Sequence, residues 1–352
     1  MKIISVLGAR PQFIKASPVC TALRKAGHEE ILIHTGQHYD DKMSEIFFTE
    51  LSLPRPHLNL NVGSKSHAEQ TAEMLIGIER ALIEHKPDYM LVYGDTNSTL
   101  AGAIAACKLQ IPIAHVEAGL RSFNRSMPEE HNRVITDHCS EILFCPTSTA
   151  VKNLHAEGIK YGVHQVGDTM LDAVQSYSEK AEKISPAWKA LGLKTKSFYL
   201  ATIHRPYTTD SKETLGKALS ALGSLKHSVI FPVHPRTRAR FKEFGLSPAA
   251  NIQLTEPLGY MDMLALQKNA RAVLTDSGGV QKEAFFLRTP CVTLRSETEW
   301  VETVEAGWNI VTGIEPNSVI QAIEHFEKSE LSKAPDCFGD GHAAEKIVAQ
   351  FR

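Results

Sequence analysis

Between Arg271 and Glu283 the chain passes from apolar residues, Ala272-Val273-Leu274, through Thr275-Asp276-Ser277-Gly278-Gly279, into Val280-Gln281-Lys282-Glu283. This order predicts a strand, a tight turn and the first turn of a helix. Adjacent glycines at 278 and 279 let backbone approach a ligand with no Cβ in the way. A helix opening at Ser277 directs free N–H groups and a positive dipole end into the turn, which is chemistry for an anion, most often a phosphate. The stretch lacks the Lys-Ser/Thr ending of a P-loop and the spacing of the dinucleotide fingerprint. A nucleotide-linked phosphate is therefore expected, in neither an ATP site of Walker type nor an NAD site.

Charged residues gather at the ends of other apolar runs. Gly8-Ala9-Arg10 and Lys15 follow Lys2–Leu7, and Gly94-Asp95 follows Tyr89–Tyr93. Glu117 follows Ile111–His115, with Pro128-Glu129 and Arg133 beyond it; His204 follows Phe198–Ile203, and His234-Pro235-Arg236 follows Ser228–Val233. Carboxylates that can move protons, with cations and a phosphate turn, suit a nucleotide sugar whose diphosphate becomes a stabilised leaving group. Each group also has a plainer reading. Asp95 could cap a helix beginning near Asn97, Glu117 could sit in a solvated turn, and Glu129 could be a first-turn charge favoured by the dipole. Arg10 and Lys15 could be solvated, and the histidines could be ordinary core or surface residues. Position after a strand favours function.

The elements that must position these groups alternate. Ten short apolar runs are separated by longer amphipathic segments such as Gln70–His85 and Asn97–Lys108, which predicts parallel α/β sheets with helices on both faces. Ligands of such sheets sit at the carboxyl ends of the strands. The 352 residues suggest about two domains. The polar stretch Ser176–Lys196 is the expected link, between a first domain at 1–170 and a second at 171–342. A cleft between facing halves would hold Asp95, Glu117 and Glu129 on one side and His204, His234, Arg236 and the glycine turn on the other. The net charge of −2 and the lack of a long basic run argue against a nucleic-acid surface. No apolar run reaches membrane-spanning length. The six cysteines are scattered without a C-x-x-C pair, which suggests reduced thiols in a cytoplasmic protein rather than disulfides or zinc.

At these motifs the chain resembles the non-hydrolysing UDP-N-acetylglucosamine 2-epimerases over nearly its full length. The likeness is carried by Gly8-Ala9-Arg10-Pro11, Gly36-Gln37-His38, Gly94-Asp95-Thr96, His115-Val116-Glu117-Ala118-Gly119-Leu120-Arg121, Pro128-Glu129-Glu130-His131-Asn132-Arg133, His204-Arg205, His234-Pro235-Arg236, Thr275–Gln281 and Gly339-Asp340-Gly341. The resemblance implies a GT-B fold, two Rossmann-like doubly wound domains facing a central cleft, with a C-terminal helix at 343–352 packing back on the first domain. It implies a homodimer, a UDP-sugar substrate and no cofactor or metal. It makes Asp95, Glu117 and Glu129 the acid/base carboxylates and adds His204 to the catalytic set. Arg10, Lys15, Arg133, His234, Arg236, Met263, Ser277, Gly278, Gly279, Glu283 and Trp300 become contacts to UDP or sugar, with Glu283 on the ribose. The implied chemistry is C2 epimerisation by elimination and re-addition of UDP, supplying surface polysaccharide precursors.

Departures bear on the substrate. Family members specific for UDP-N-acetylglucosamine often have Thr-Glu-Arg-Pro-Glu where this chain has Thr298-Glu299-Trp300-Val301-Glu302, and many have Thr and Glu where it has Ala9 and Gln12. These features resemble the subgroup acting on UDP-2,3-diacetamido-2,3-dideoxy-glucuronate, so the expected substrate is either that sugar or UDP-N-acetylglucosamine. Asp40 and Glu73 stand where activated bacterial members carry a glutamine and an arginine, so activation by a second substrate molecule is not expected. Other readings are a GT-B glycosyltransferase, a hydrolysing 2-epimerase and a non-catalytic nucleotide-sugar-binding protein.

Overall fold

The computed structural model describes residues 1–37, 48–331 and 333–351. His38 and Asp40, named above, lie outside the described residues, as does Arg352. The chain forms two compact units, Met1–Ala173 with Asp336–Arg352, and Val174–Pro335.

The first unit contains strands β1 (Lys2–Leu7), β2 (Glu29–His34), β3 (Leu58–Asn59), β4 (Tyr89–Tyr93), β5 (Ile113–Val116), β6 (Ile142–Cys145) and β7 (Val163–Gln165). They form one parallel sheet in the order β3-β2-β1-β4-β5-β6-β7. The second unit contains β8 (Phe198–Thr202), β9 (Ser228–Pro232), β10 (Ile252–Thr255), β11 (Val273–Thr275), β12 (Cys291–Thr293) and β13 (Asn309–Val311). Its sheet is also parallel, ordered β10-β9-β8-β11-β12-β13. Both are doubly wound, as the strand–helix alternation requires. The two-sheet α/β architecture is that of the GT-B class.

Central strands announce themselves in sequence because both faces are buried. β1 reads Lys-Ile-Ile-Ser-Val-Leu and all but its first residue are covered. β8, Phe-Tyr-Leu-Ala-Thr, is buried throughout. Such strands read as continuous apolar runs. The three strands not anticipated, β3, β7 and β10, all lie at sheet edges. β3 is two exposed residues, and β10 alternates, with Gln253 exposed between Ile252 and Leu254. Short, half-solvated edges carry no such run.

The stretch expected as a linker is mostly helical: helices span Thr169–Ile184 and Pro186–Ala190, and the whole stretch falls within the second unit, Val174–Pro335. Its polarity is that of partly exposed helices. No described helix is long and apolar enough to cross a membrane.

In each sheet the strand order reverses once, between β1 and β4 in the first and between β8 and β11 in the second. Helices leave in opposite directions at such a switch point, and the crevice at the strand ends is where α/β sheets take ligands. Gly8 and Asp95 follow the first pair of strands, His204 and Ser277 the second.

The chain's last element returns to the first unit. Helix Ala343–Val348 packs on helix Arg10–Lys25. Its N-terminus is held by the Asp172 carboxylate, which accepts from Ala343 N at 3.1 Å and Ala344 N at 2.8 Å. Phe351 is 4% exposed, edge-on to Tyr89 at 5.2 Å and near Phe144 at 6.2 Å. Phe351→Ala should cost about 3 kcal/mol of first-unit stability. A denaturant midpoint equal to wild type would contradict that packing role.

Candidate active site

At the first switch point a single buried amide ties the two loops. Gln12 Oε1 accepts the N–H groups of Gly8 and Ala9 at 2.8 and 3.0 Å. Its Nε2 donates to Tyr93 O at 2.8 Å and to Thr99 Oγ1 at 3.0 Å. All four bonds available to the amide are made between groups that follow β1 and β4. Gly8 is needed for this approach, since a Cβ there would overlap the hydroxyls of Ser98 and Thr35. The N–H groups of Gly8 and Ala9 are thus already engaged, and the anion nearest Lys15 is a protein one: its ammonium makes a buried ion pair with Glu117.

Glu117 has φ +73°, a left-handed conformation that costs a non-glycine residue about 1–2 kcal/mol. Strain of this kind persists only where surrounding structure over-determines it. Here both Glu117 N and Ala118 N donate to Phe144 O on β6, each at 3.1 Å, and the carboxylate is drawn to Lys15. The kink turns an otherwise buried strand end so that its carboxylate faces the loop after β4. Gly94 is immediate to it: a Cβ on Gly94 would stand 3.3 Å from both Glu117 Oε2 and Lys15 Nζ.

Asp95 is held by Arg133. Both Nε and an Nη donate to the same oxygen, Oδ2, at 3.0 and 2.6 Å. Asp95 Oδ1 accepts no bond among the described residues, and the side chain is 28% exposed. The other Nη of Arg133 reaches Glu130 at 2.7 Å, and Asn132 Nδ2 donates to Asp95 O at 2.9 Å. These partners lie on helix Pro128–Cys139, whose buried residues are Glu130, Asn132, Arg133, Thr136 and Asp137. Its inward face is therefore polar. Glu129 lies half-buried in its first turn beside Glu130.

The same helix anchors the Glu117 loop. Asp137 accepts from Gly119 N at 3.1 Å and Arg121 Nη at 2.7 Å, and lies 2.8 Å from His115 Nδ1. The other ring nitrogen of His115 reaches Gly94 O at 2.8 Å. One imidazole thus joins the loop bearing Asp95 to the helix bearing Arg133. Arg121 continues to Glu157 at 2.6 and 2.7 Å.

The second unit repeats the device. Asp276, fully buried, accepts from His204 N at 3.0 Å and Arg205 N at 2.9 Å. It also lies 3.3 Å from His204 Nδ1, so the loop after β8 is fastened to the turn after β11. Ser277 occupies the N-cap of helix Gly278–Phe286, its N–H directed to Thr275 Oγ1 at 2.9 Å. A side chain on Gly278 would meet the Glu299 carboxylate and the Trp300 indole, so any other residue there requires those side chains to shift. Glu283 is 5% exposed, with Oε2 held by Gln267 Nε2 at 2.7 Å.

The remaining expected contacts sit more plainly. Arg10 opens helix Arg10–Lys25, and Met263 packs at the rim of an apolar cluster of the second unit. His234 is the exposed N-cap of helix Pro235–Phe244, its Nδ1 accepting from Arg236 N at 3.3 Å. Arg236 pairs with Asp210 at 2.6 Å on the surface. Glu73 pairs with Lys65 at 2.5 Å, also exposed. The structure adds residues to which the sequence reading gave no role: Gln12, His115, Arg121, Glu130, Asp137, Asp276 and Lys282. The available signal was polarity where burial was expected, as in His115 within a β-strand.

Carboxylates with cationic partners on one parallel sheet, and a glycine turn at a helix N-terminus on another, suit an enzyme that handles nucleotide-linked sugars. The family model described as UDP-N-acetylglucosamine 2-epimerase matches residues 21–352, and the chain belongs to that family. It is 51% identical to a UDP-N-acetylglucosamine 2-epimerase homolog of Methanococcus maripaludis, over 100% of this chain and 99% of that protein. It is 44% identical to the UDP-2,3-diacetamido-2,3-dideoxy-D-glucuronate 2-epimerase of Pseudomonas aeruginosa, over 99% and 98%. The crystal structure of Methanocaldococcus jannaschii UDP-GlcNAc 2-epimerase in complex with UDP-GlcNAc and UDP superposes with a TM-score of 0.94 at 46% identity, covering 99% of each chain.

Two buried carboxylates make the site sensitive to acid. Burial opposes ionisation of Glu130, but the N–H groups of Ser122 and Phe123, the Ser122 hydroxyl and Arg133 together hold its carboxyl below the ordinary range. Burial likewise opposes ionisation of Asp137, and His115 and Arg121 outweigh it. A depressed folded value adds stability that is present above the unfolded value of about 4 and is lost as pH falls through the folded one. Asp137→Asn should therefore cost about 3 kcal/mol near neutral pH, with the gap to wild type closing below about pH 4. Denaturant titrations across pH check this, and a gap that stays constant into acid would refute it.

Proposed function

We propose that this chain inverts C2 of a UDP-linked 2-acetamido sugar without hydrolysing it. A carboxylate removes the C2 proton while the C1–O bond breaks and UDP leaves with its electron pair, giving a 1,2-unsaturated sugar. UDP oxygen then re-forms the bond at C1 as a second group delivers a proton to the opposite face of C2. Atoms and charge balance with no external reductant or cofactor. We assign the proton transfers to Asp95, Glu117 and Glu129 and the leaving diphosphate to the turn Ser277-Gly278-Gly279, with His204 beside it. We assign Glu283 to the ribose, because one carboxylate can accept from both vicinal hydroxyls.

The observation that carries this reading is the hold on Asp95. Two N–H groups of Arg133 converge on Oδ2, which fixes the carboxylate and leaves Oδ1 to take or give a proton. A binding protein has no use for such an arrangement, and glycosyl transfer does not call for three carboxylates. A hydrolysing enzyme would end with free sugar. Lys15 on Glu117 orients the second carboxylate in the same way. We also propose that the chain works as a homodimer in the cytoplasm, as the family resemblance suggests.

Epimerisation in deuterated water must place deuterium at C2 of recovered UDP-sugar. Asp95→Asn keeps the shape of the side chain but cannot accept the proton. It should lower exchange at least 100-fold while UDP binding stays within about threefold, a change worth less than 1 kcal/mol. Wild-type enzyme that binds UDP-sugar yet incorporates no deuterium would overturn the reading.

The sugar is tested by turnover of the two purified candidates. Trp300 and the neighbouring departures favour UDP-2,3-diacetamido-2,3-dideoxy-glucuronate, for which kcat/KM should be at least tenfold the value for UDP-N-acetylglucosamine, a difference of about 1.4 kcal/mol in transition-state binding. The reverse order would assign the chain to the N-acetylglucosamine enzymes.

A further inference from the structure

Trp300 departs from the arginine often found at its position, and its surroundings explain more than its own type does. The residue is 3% exposed. The Lys282 ammonium lies beneath it, 3.9 Å from the ring centroid, within the range of a cation–π contact. Lys282 itself is fully buried, a rare state for lysine that calls for compensation. The edge of the same indole stands at the glycine turn: Nε1 is 3.1 Å from where a Cβ on Gly278 would be. Ammonium, indole and Gly278 are thus in series. Beside them the Glu299 carboxylate also touches the Gly278 position, and Arg295 Nη1 holds its Oε2 at 2.9 Å. The wall behind the turn is an indole and a carboxylate, each backed by a buried cation.

We propose that Lys282 is a positioning residue for the diphosphate turn, acting through Trp300, and that residues 282 and 300 form one specificity-determining unit. The residue at 282 decides which residue at 300 lets the turn take a diphosphate. This rests on the reading of Ser277-Gly278-Gly279 as the UDP site. The physical reason lies in three pairings. A guanidinium in place of the indole would meet a buried ammonium of like charge. A carboxylate in place of the ammonium would face the negative face of the indole. Carboxylate at 282 with guanidinium at 300 would be a complementary, charge-assisted pair. Both single exchanges therefore harm the turn, and the double exchange restores it.

The test is calorimetric titration of UDP into the full chain, with kcat/KM measured in parallel. Lys282→Glu and Trp300→Arg should each weaken UDP tenfold or more, and the double variant should return to within threefold of wild type. KM for the UDP-sugar should follow the UDP affinity, with kcat changed less. Lys282→Met keeps length and removes charge. It should weaken UDP about tenfold. A residue that only packs would leave UDP affinity intact whatever the melting temperature does. Either single charge variant binding UDP like wild type, or a double variant no tighter than its weaker parent, overturns the coupling. If the single variants do not fold, Lys282→Met decides. Wild-type protein that fails to bind UDP overturns the assignment of the turn itself, and the coupling with it.

Discussion

Each switch point in this protein is closed by one buried polar side chain, and the geometry of the candidate site depends on that closure. In the first unit it is the Gln12 amide, which spends its whole hydrogen-bonding capacity between the loops after β1 and β4. In the second it is the Asp276 carboxylate, which fastens His204 and Arg205 to the glycine turn. A doubly wound sheet separates its loops at the point where strand order reverses, because successive helices leave to opposite faces. Residues placed there would otherwise hang on independent loops. Joining the loops through buried groups makes their spacing a property of the fold, since an unmade bond at a buried amide or carboxylate costs about 1–3 kcal/mol.

Around the first closure the structure substitutes ionic for apolar packing. Helix Pro128–Cys139 turns Glu130, Asn132, Arg133, Thr136 and Asp137 inward, so it docks through a polar face in which Glu130, Arg133 and Asp137 make ion pairs. Pairs of this kind add little net stability compared with apolar packing, but they fix geometry and are costly to break singly. That is the property a proton-transfer site requires, where a small displacement of a carboxylate is expensive in rate.

The contrast between packing modes explains what the sequence revealed. The central strands were legible because burial on both faces leaves an uninterrupted apolar run. The glycine turn was legible as a pair of adjacent glycines, and at Gly278 close approach of Glu299 and Trp300 supplies the reason. Edge strands β3, β7 and β10 were not legible, since half-solvated backbone imposes no such pattern. The charged inner face of helix Pro128–Cys139 reads in sequence as an ordinary polar segment, and only its partners distinguish it from a solvated one. Asp95, Glu117 and Glu129 could be placed at strand ends or in a first helical turn from the chain alone. Which cation orients which carboxylate depended on contacts between residues 38 and 102 positions apart, a separation that no local pattern encodes. Trp300 was visible as an unusual type, but Lys282 beneath it was not.

The left-handed backbone at Glu117 bears on how this site can change over time. Glycine would occupy that conformation with about 1–2 kcal/mol less strain, so the position taken alone is under pressure to drift. Its carboxylate, however, is paired with an ammonium on helix Arg10–Lys25 that is itself buried. Losing one member of a buried pair costs about 3–5 kcal/mol, more than the strain released. The ion pair therefore acts as a latch on the lineage: neither residue can be replaced profitably before the other. A chain that no longer needed the reaction would still keep both for some time, held by stability rather than by use.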